Sequence, residues 1–265
     1  MSRKSPGEIY EKRIAEVDLL RGLAIVLMLA HHTLYDIRHI FGQDMLAFQD
    51  TVWFTDWLRP VILFLFMTVS CISCTFSRNN FKRALRIFLF ALGVTLVFEA
   101  VSFFTHQELH VWFNVFHQLS LGIFLYAVLT RKEKQSPAPP EGDKLSLLLL
   151  VLSMLFLYYG TAAARSPYLS HNVFFIFGLY RPDLPGQADY LPLFPWFGMF
   201  LLGAGIGRIF YNEKKSLCSA GCRRVMLRAG RPLLFLGRHP LWVYALHQPI
   251  LLLLIGLCLK ISGRL

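Results

Sequence analysis

The sequence predicts an all-α fold: a polytopic transmembrane helix bundle of about seven spans, N-terminus cytoplasmic and C-terminus outside. Three observations predict it. Of 265 residues, 55% are hydrophobic and only 16% charged, with a mean hydropathy of +0.49, whereas soluble domains lie nearer a quarter charged. The apolar residues gather into runs of the roughly 20 residues that a helix needs to cross lipid. Basic clusters alternate with those runs, as expected where lipid is the solvent and each helix must satisfy its own backbone.

Residues 1–12 read as a cytoplasmic tail and 13–261 as a single membrane domain. The spans fall near 18–37, 57–76, 84–104, 111–130, 145–163, 191–210 and 233–260. The first is the least apolar, because Arg21, His31, His32 and Asp36 interrupt it. Polar residues within a span usually face a bundle interior or a cavity, so that weakness is informative. The segment 131–144 (RKEKQSPAPPEGDK) is a charged, Pro-rich linker between a four-span and a three-span half. The stretch 165–190 carries VFFIFGLY between Pro167 and Pro182; at that length it caps the outer face or re-enters. Pro195 and Trp196 kink the start of the sixth span and set an indole at the interface. In LLGAGIGR, Gly203, Gly205 and Gly207 read as close helix packing before ligand approach.

Charge gives the orientation. Arg3, Lys4, Lys12 and Arg13 precede the first span; Arg78, Lys82, Arg83 and Arg86 follow the second. Arg131, Lys132, Lys134 and Lys144 follow the fourth, and six Lys and Arg between Lys214 and Arg231 follow the sixth. The alternate loops hold few: Arg38 in one, none in 105–110, Arg165 and Arg181 in the long one. Positive charge stays inside, which sets the N-terminus in the cytoplasm.

The same distribution answers the net charge of +11. The basic residues form no single stripe, so no nucleic-acid partner is expected. Cys71, Cys74, Cys218, Cys222 and Cys258 make no zinc-type spacing with histidines, and no metal is expected. They read as unpaired thiols, Cys71 and Cys74 acting as small hydrophobes within a span. The opening apolar run continues into His31 and His32 with no small-residue cleavage pattern, so it is expected to be retained.

Depth points to the chemistry. His32 lies about 21 Å along the first span, and His247 about 21 Å along a last span counted from Leu233. His117, in the second turn of a fourth span running the other way, lies about 9 Å inward. All three then share one layer on the outer side of the midplane. Each alone could be a core histidine bonded to a helix carbonyl; three costly ionisable groups in one layer point to a shared polar pocket. Asp36, Arg59, Glu99, Asn114, Gln118 and Gln248 are candidates for that layer. Asp36, one turn after His32, is expected to fix its tautomer, which makes His32 the expected centre of the chemical step. A second set, Arg21, Lys82, Arg83, Arg86, Arg238 and His239, falls near inner span ends with Arg78 and Arg208. Its plain role is topology and anionic lipid. Its sharper role is a phosphate clamp, for which Arg offers a bidentate fork.

The blocks VDLLRGLAIVLMLAHHTLYDI, FMTVSCISCTFSRNNFKRALRIF, VFHQLSLGIFLY, DYLPLFPWFGMFLLGAGIG and LGRHPLWVYALHQPI, in that order, resemble the catalytic-domain family of heparan-α-glucosaminide N-acetyltransferase, in its short bacterial members. The likeness covers roughly 13–255. It implies a multi-pass protein of the bacterial plasma membrane that moves an acetyl group from cytoplasmic acetyl-CoA to a sugar or glycan amine or hydroxyl on the other side. Membrane lipid, the CoA donor and that acceptor are the implied partners. Carried onto matching positions, its motif residues are Asp18, Arg21, Gly22, His32, Asp36, His117, Pro195, Trp196, Arg238, His239, His247 and Gln248. Cys71 and Asn114 stand where the family commonly has Gly, and Pro240 where Ser is usual, which bears on substrate identity more than on reaction class.

The residues suit acyl transfer independently, since imidazole can serve as base or as acyl-accepting nucleophile. A proton-coupled transporter with a histidine relay is a second reading, although no internal repeat is visible. A sensor or assembly protein with a degenerate site is a third.

Overall fold

The computed structural model describes residues 14–106, 108, 110–131, 144–165, 171–183, 185, 187, 189–211 and 213–264. The predicted tail 1–12, the linker stretch 132–143 and residues 166–170 lie outside the described residues. Helix α1 is Ala15–Tyr35, extended by a π-helical turn Asp36–Ile40. A short 3-10 turn, Ala47–Asp50, and a π-helical turn, Trp53–Leu58, lead into α2, Arg59–Phe76. Then come α3 Asn80–Thr105, α4 Val115–Leu129, α5 Lys144–Arg165 and α6 Leu193–Phe210. Two short helices, α7 Ala220–Ala229 and α8 Arg231–Arg238, precede α9 Pro240–Ile261. No β-strand occurs among the described residues.

Six stretches are long and apolar enough to cross a membrane: Ala15–Ile40, Trp53–Phe76, Asn80–Thr105, Lys144–Ala162, Leu193–Phe210 and Pro240–Ile261. Helix α4 is apolar but shorter. The all-α bundle of about seven membrane helices is therefore the fold. Its lipid character is plain on α3, where Leu85, Phe88, Leu89, Leu96, Val97 and Phe103 are all exposed; a water-soluble helix would bury such a set.

Two expected spans start later than their hydropathy. The fourth begins at Val115 instead of 111, because Asn114 is an extended N-cap whose side chain accepts from the backbone N–H groups of Phe116 and His117. His117 thus sits in the first turn, not the second. The seventh begins at Pro240 instead of 233. Proline lacks an N–H and pushes the preceding residue out of the helical region, and His239 accordingly has φ −119 and ψ 41. The apolar run splits there, which puts His247 about 10 Å into α9, not 21 Å along a longer helix. The stretch around VFFIFGLY forms a 3-10 turn, Asn172–Phe177, tied by Arg181 N donating to Asn172 Oδ1 at 2.7 Å.

The chain folds as two compact units, Met1–Val69 with Lys215–Leu265, and Ser70–Lys214. In the first, α8 crosses α1 with the backbones in contact. A Cβ on Gly22 would overlap the Leu233 carbonyl, and one on Gly237 would overlap the Asp18 carbonyl. Only glycine permits that approach. In the second unit, α5 and α6 pack through Gly198, whose carbonyl accepts from buried Ser153 Oγ at 2.8 Å, and through Gly205 against Leu150. Gly207 lies against Ile72 and Thr75. Gly205 and Gly207 of LLGAGIGR therefore serve close packing. The kink expected at Pro195 falls at Phe194, whose φ and ψ are −89 and 131.

Candidate functional site

The polar pocket of the first unit is built where the C-terminal part of α1 meets α9. His32 and His247 rings meet edge to face with centroids 4.8 Å apart, and His31 stacks on His32 at 5.7 Å. Phe54, from the π-helical turn before α2, closes on His31 at 5.6 Å. Below them Gln248 Nε2 donates to Asp36 Oδ1 at 2.9 Å, with Asp36 fully buried.

The Asp36 partner differs from the expectation. Among the described residues no hydrogen bond joins Asp36 to His32, although they lie one turn apart. Asp36 opens the π-helical turn, and its carboxylate is taken by Gln248 of α9. The imidazole whose tautomer the fold fixes is His247. Its Nδ1 lies 2.6 Å from the Tyr244 carbonyl, which can only accept, so Nδ1 carries the hydrogen and Nε2 carries the lone pair. That Nε2 is buried without a hydrogen-bond partner among the described residues, as are His31 Nδ1, Asp36 Oδ2 and Gln248 Oε1. Each such atom costs on the order of 1–3 kcal/mol. Four on adjoining side chains mark a place kept for something other than stability.

An open surface groove of about 560 Å³ lies beside this pocket, lined by Leu29, His239, Trp242, Leu246, His247 and Ile250 among others, with Trp242 and Leu246 largely exposed. Its walls are almost wholly apolar, and it reaches from His239 to His247, about 12 Å by helix rise. At its His239 end stands the α1–α8 crossing. There Arg21 donates to Asp18 Oδ1 and to the Gly237 carbonyl, both at 2.8 Å. Arg238 Nε stands 3.6 Å from Asp18 Oδ2. Two guanidiniums thus meet at one carboxylate. The sequence singled out both arginines; that Asp18 holds them together was not legible from spacing.

The remaining candidates lie in the second unit. His117 Nδ1 stands 3.3 Å from Asn114 N and 3.0 Å from Asn114 Oδ1, closing a capping box, while its ring stacks on Phe113. Gln118, fully buried, has neither amide atom hydrogen-bonded among the described residues. Arg83 is committed to the end of α2, donating to Ser70 O at 3.3 Å and to Cys74 Sγ at 3.5 Å. Lys82 and Arg86 are exposed on one face of the first turns of α3. None of the five cysteines forms a disulfide among the described residues, and Cys71 and Cys74 are buried. Sequence reasoning gave His110 no role, since it lies between helices; in the structure it pairs with Glu99.

A polytopic helical membrane protein with a buried imidazole facing an apolar groove, and a cationic crossing at the groove's other end, is the class these features define. The chain belongs to the family of the heparan-alpha-glucosaminide N-acetyltransferase catalytic domain, which it matches over residues 13–249. Membership makes it a membrane acyltransferase by family. No curated protein and no solved structure matches the chain.

Proposed function

We propose that the protein transfers an acetyl group from acetyl-CoA, bound from the cytoplasm, to an amine or hydroxyl of a sugar or glycan on the opposite side of a bacterial plasma membrane. The observation that carries this reading is His247: a buried imidazole whose Nδ1 is spent on the Tyr244 carbonyl and whose Nε2 is left with its lone pair. Such a nitrogen can take the acetyl group or deprotonate the acceptor. In the covalent version Nε2 attacks the thioester carbonyl, the C–S bond breaks, and CoA leaves as the thiol after taking a proton. The acceptor amine or hydroxyl then attacks the acetyl-imidazole and loses its own proton. In the direct version Nε2 removes that proton while the acceptor attacks the thioester.

His32 is placed to pack His247 from α1, and the Gln248–Asp36 pair holds the next residue of α9 to α1. The anionic end of the donor is assigned to Arg21, Arg238 and His239, where two guanidiniums and an imidazole stand at one end of the apolar groove that leads toward His247. Lys82, Arg83 and Arg86 offer a separate basic patch at the start of α3. His117 is assigned the local task of shaping the polar start of α4. The cytoplasmic N-terminus rests on the positive-inside distribution.

The test is calorimetry with acetyl-CoA on the purified protein, together with transfer of labelled acetyl to glucosamine. Saturable binding with labelled product supports the reading. Absence of both overturns it.

A further inference from the structure

We infer that the groove along α9 is a lipid site: one hydrocarbon chain lies in it, and the phosphate of an anionic phospholipid sits on Arg238 and His239 at its mouth. The inference stands apart from the acyltransferase reading, with which it shares only those cations. The groove follows one face of α9, a helix long and apolar enough to cross a membrane. His239, Trp242, Leu246 and Ile250 recur at the three- and four-residue spacing of a helix stripe, with Phe235 of α8 and Leu29 of α1 beside them. Phe235, Trp242, Leu246 and Ile250 are all exposed, so the groove is open along its length. Around a spanning helix the medium it opens on is lipid.

Lining and length select the chain. Apart from the imidazoles of His239 and His247, every side chain along the groove is aliphatic or aromatic. A methylene chain needs no hydrogen-bond partner there and gains by its burial. From His239 to Leu251, the farthest lining residue along α9, the helix rises about 18 Å. That is close to one leaflet's hydrocarbon, about 15 Å or half of a core roughly 30 Å thick. Since α9 begins at Pro240, the groove starts where the helix enters the hydrocarbon and ends near its middle. The exposed indole of Trp242, in the first turn, stands at the level tryptophans take at a membrane boundary.

Charge selects the headgroup. No Asp or Glu occurs from Lys214 to Leu265, while Arg223, Arg224, Arg228, Arg231 and Arg238 all precede α9. Arg224 and Arg228 of α7 and Arg231 at the start of α8 are exposed. A basic segment immediately before a spanning helix attracts anionic headgroups. Arg238 adds the fork that matches a phosphate, and exposed His239 is the first residue of α9's stripe in the groove. Bulk lipid would touch an exposed apolar face whatever its headgroup; a groove one leaflet long with charge of a single sign at its mouth favours an anionic one. The donor's phosphates are assigned to the same cations, so lipid and acetyl-CoA exclude one another there.

The test reads Trp242, which lines the groove. In the full chain Trp53, Trp57, Trp112 and Trp196 are replaced by Phe, and the protein is set in zwitterionic nanodiscs with no acyl donor. The nanodiscs carry a minor fraction of a phospholipid with brominated chains, which quench an indole on contact. Brominated phosphatidylglycerol should quench Trp242 at least twofold more than brominated phosphatidylcholine at the same fraction, and should saturate while still a minor component. Arg238→Gln with His239→Gln should bring the two lipids level, whereas Arg238→Lys should keep a preference. Equal quenching by the two headgroups, quenching that rises without saturating, or an unchanged preference in the folded double variant would each overturn the site. Native mass spectrometry of the parent chain in detergent, mixed with equal amounts of the two lipids, needs no tryptophan replacement. Retained phosphatidylglycerol that is lost in the double variant supports the site; no retained lipid, or equal retention of both, overturns it.

Discussion

His32 of α1 and His247 of α9 bring their rings to a centroid separation of 4.8 Å at an interplanar angle of 67°. The contact puts an edge of one imidazole on the face of the other, so the two do not share a hydrogen through Nδ1. His247 gives its Nδ1 hydrogen to the Tyr244 carbonyl instead. In the acyl-transfer reading the two rings then have different tasks. One ring presents a lone pair into the pocket, and the other restricts the volume around it. Both depend on α1 and α9 keeping register, which the α1–α8 crossing helps to set.

That crossing yields the first prediction. Gly22→Ala and Gly237→Ala each drive a methyl into a backbone carbonyl, at Leu233 and Asp18 respectively. Backbone cannot swing aside as a side chain can, so each should cost about 1–3 kcal/mol or more. Gly93→Ala is the control: it lies within α3 with nothing within 4 Å of an added Cβ, and should be neutral or stabilising by up to about 1 kcal/mol. Thermal unfolding in detergent would read all three. A Gly237→Ala protein as stable as the parent would show that the helices are not so closely seated.

The shared carboxylate yields the second. Asp18→Asn removes the carboxylate that contacts two mostly buried guanidiniums, whose side chains are 15% and 16% exposed. It should destabilise by about 3–5 kcal/mol, the scale of a broken buried pair. Arg238→Ala leaves the Arg21–Asp18 pair whole and should destabilise less. On acetyl-CoA affinity, Arg238→Ala should lose about 1.5–3 kcal/mol, and Arg238→Lys should recover only part, since a point charge cannot reproduce the fork. If Arg238→Ala binds acetyl-CoA like the parent, the clamp assignment is wrong.

The helices themselves were legible because membrane spans are written in runs of apolar residues, and depth along a helix is arithmetic. That arithmetic held for His32 on α1 but not for His247, whose depth was counted along a helix that in fact begins at Pro240. The finer placements depended on features that hydropathy does not see. Pro240 splits the expected seventh span just after Arg238 and His239, and Asn114 starts α4 later than its hydropathy does. The Gln248–Asp36 bond is a contact between helices far apart in sequence, invisible to the i, i+4 rule that paired Asp36 with His32. His110 was passed over because residues between spans read as connection, yet HVW beside a Glu-bearing helix end was the available signal.

A third prediction concerns the connection after α1. Asp50, outside the spans, is bound by the Arg38 guanidinium, through Nε at 2.9 Å and through NH2. That bond holds the Asp50 carboxyl below its ordinary value. A depressed carboxyl contributes stability that is present above the unfolded value near pH 4 and is lost as pH falls through the folded value. Hydrogen exchange over 41–52, corrected for the intrinsic rate, should therefore rise on acidification in the parent. Asp50→Asn should show the faster exchange already at pH 7 and no further acid response. Identical profiles for parent and variant would assign the loop's order to other contacts.

A fourth follows from charge. Single cysteines placed between 214 and 219 should be protected from impermeant thiol reagents in intact cells, and one at His106 should be labelled. The basic loop between α6 and α8 and the sparsely charged loop after α3 predict that difference. Labelling near 214 would reverse the orientation and with it the side from which the donor is bound.

The chemical step gives the last prediction, and it discriminates among three neighbouring imidazoles. His247→Ala should lower acetyl transfer by 10²-fold or more, the scale of losing a general base or nucleophile, with acetyl-CoA binding largely retained because the cationic crossing is untouched. His32→Ala should lower transfer less, since it enlarges the space around His247 without removing the lone pair. His31→Ala should matter least; its ring contacts are to His32 and Phe54. Mass spectrometry after incubation with labelled acetyl-CoA and no acceptor separates the two chemical versions. Label on His247 supports the covalent relay; an unlabelled but essential His247 supports direct attack. Full transfer by His247→Ala alongside loss in His32→Ala would move the reacting nitrogen to α1. It would also mean that the Tyr244 bond fixes the tautomer of a bystander.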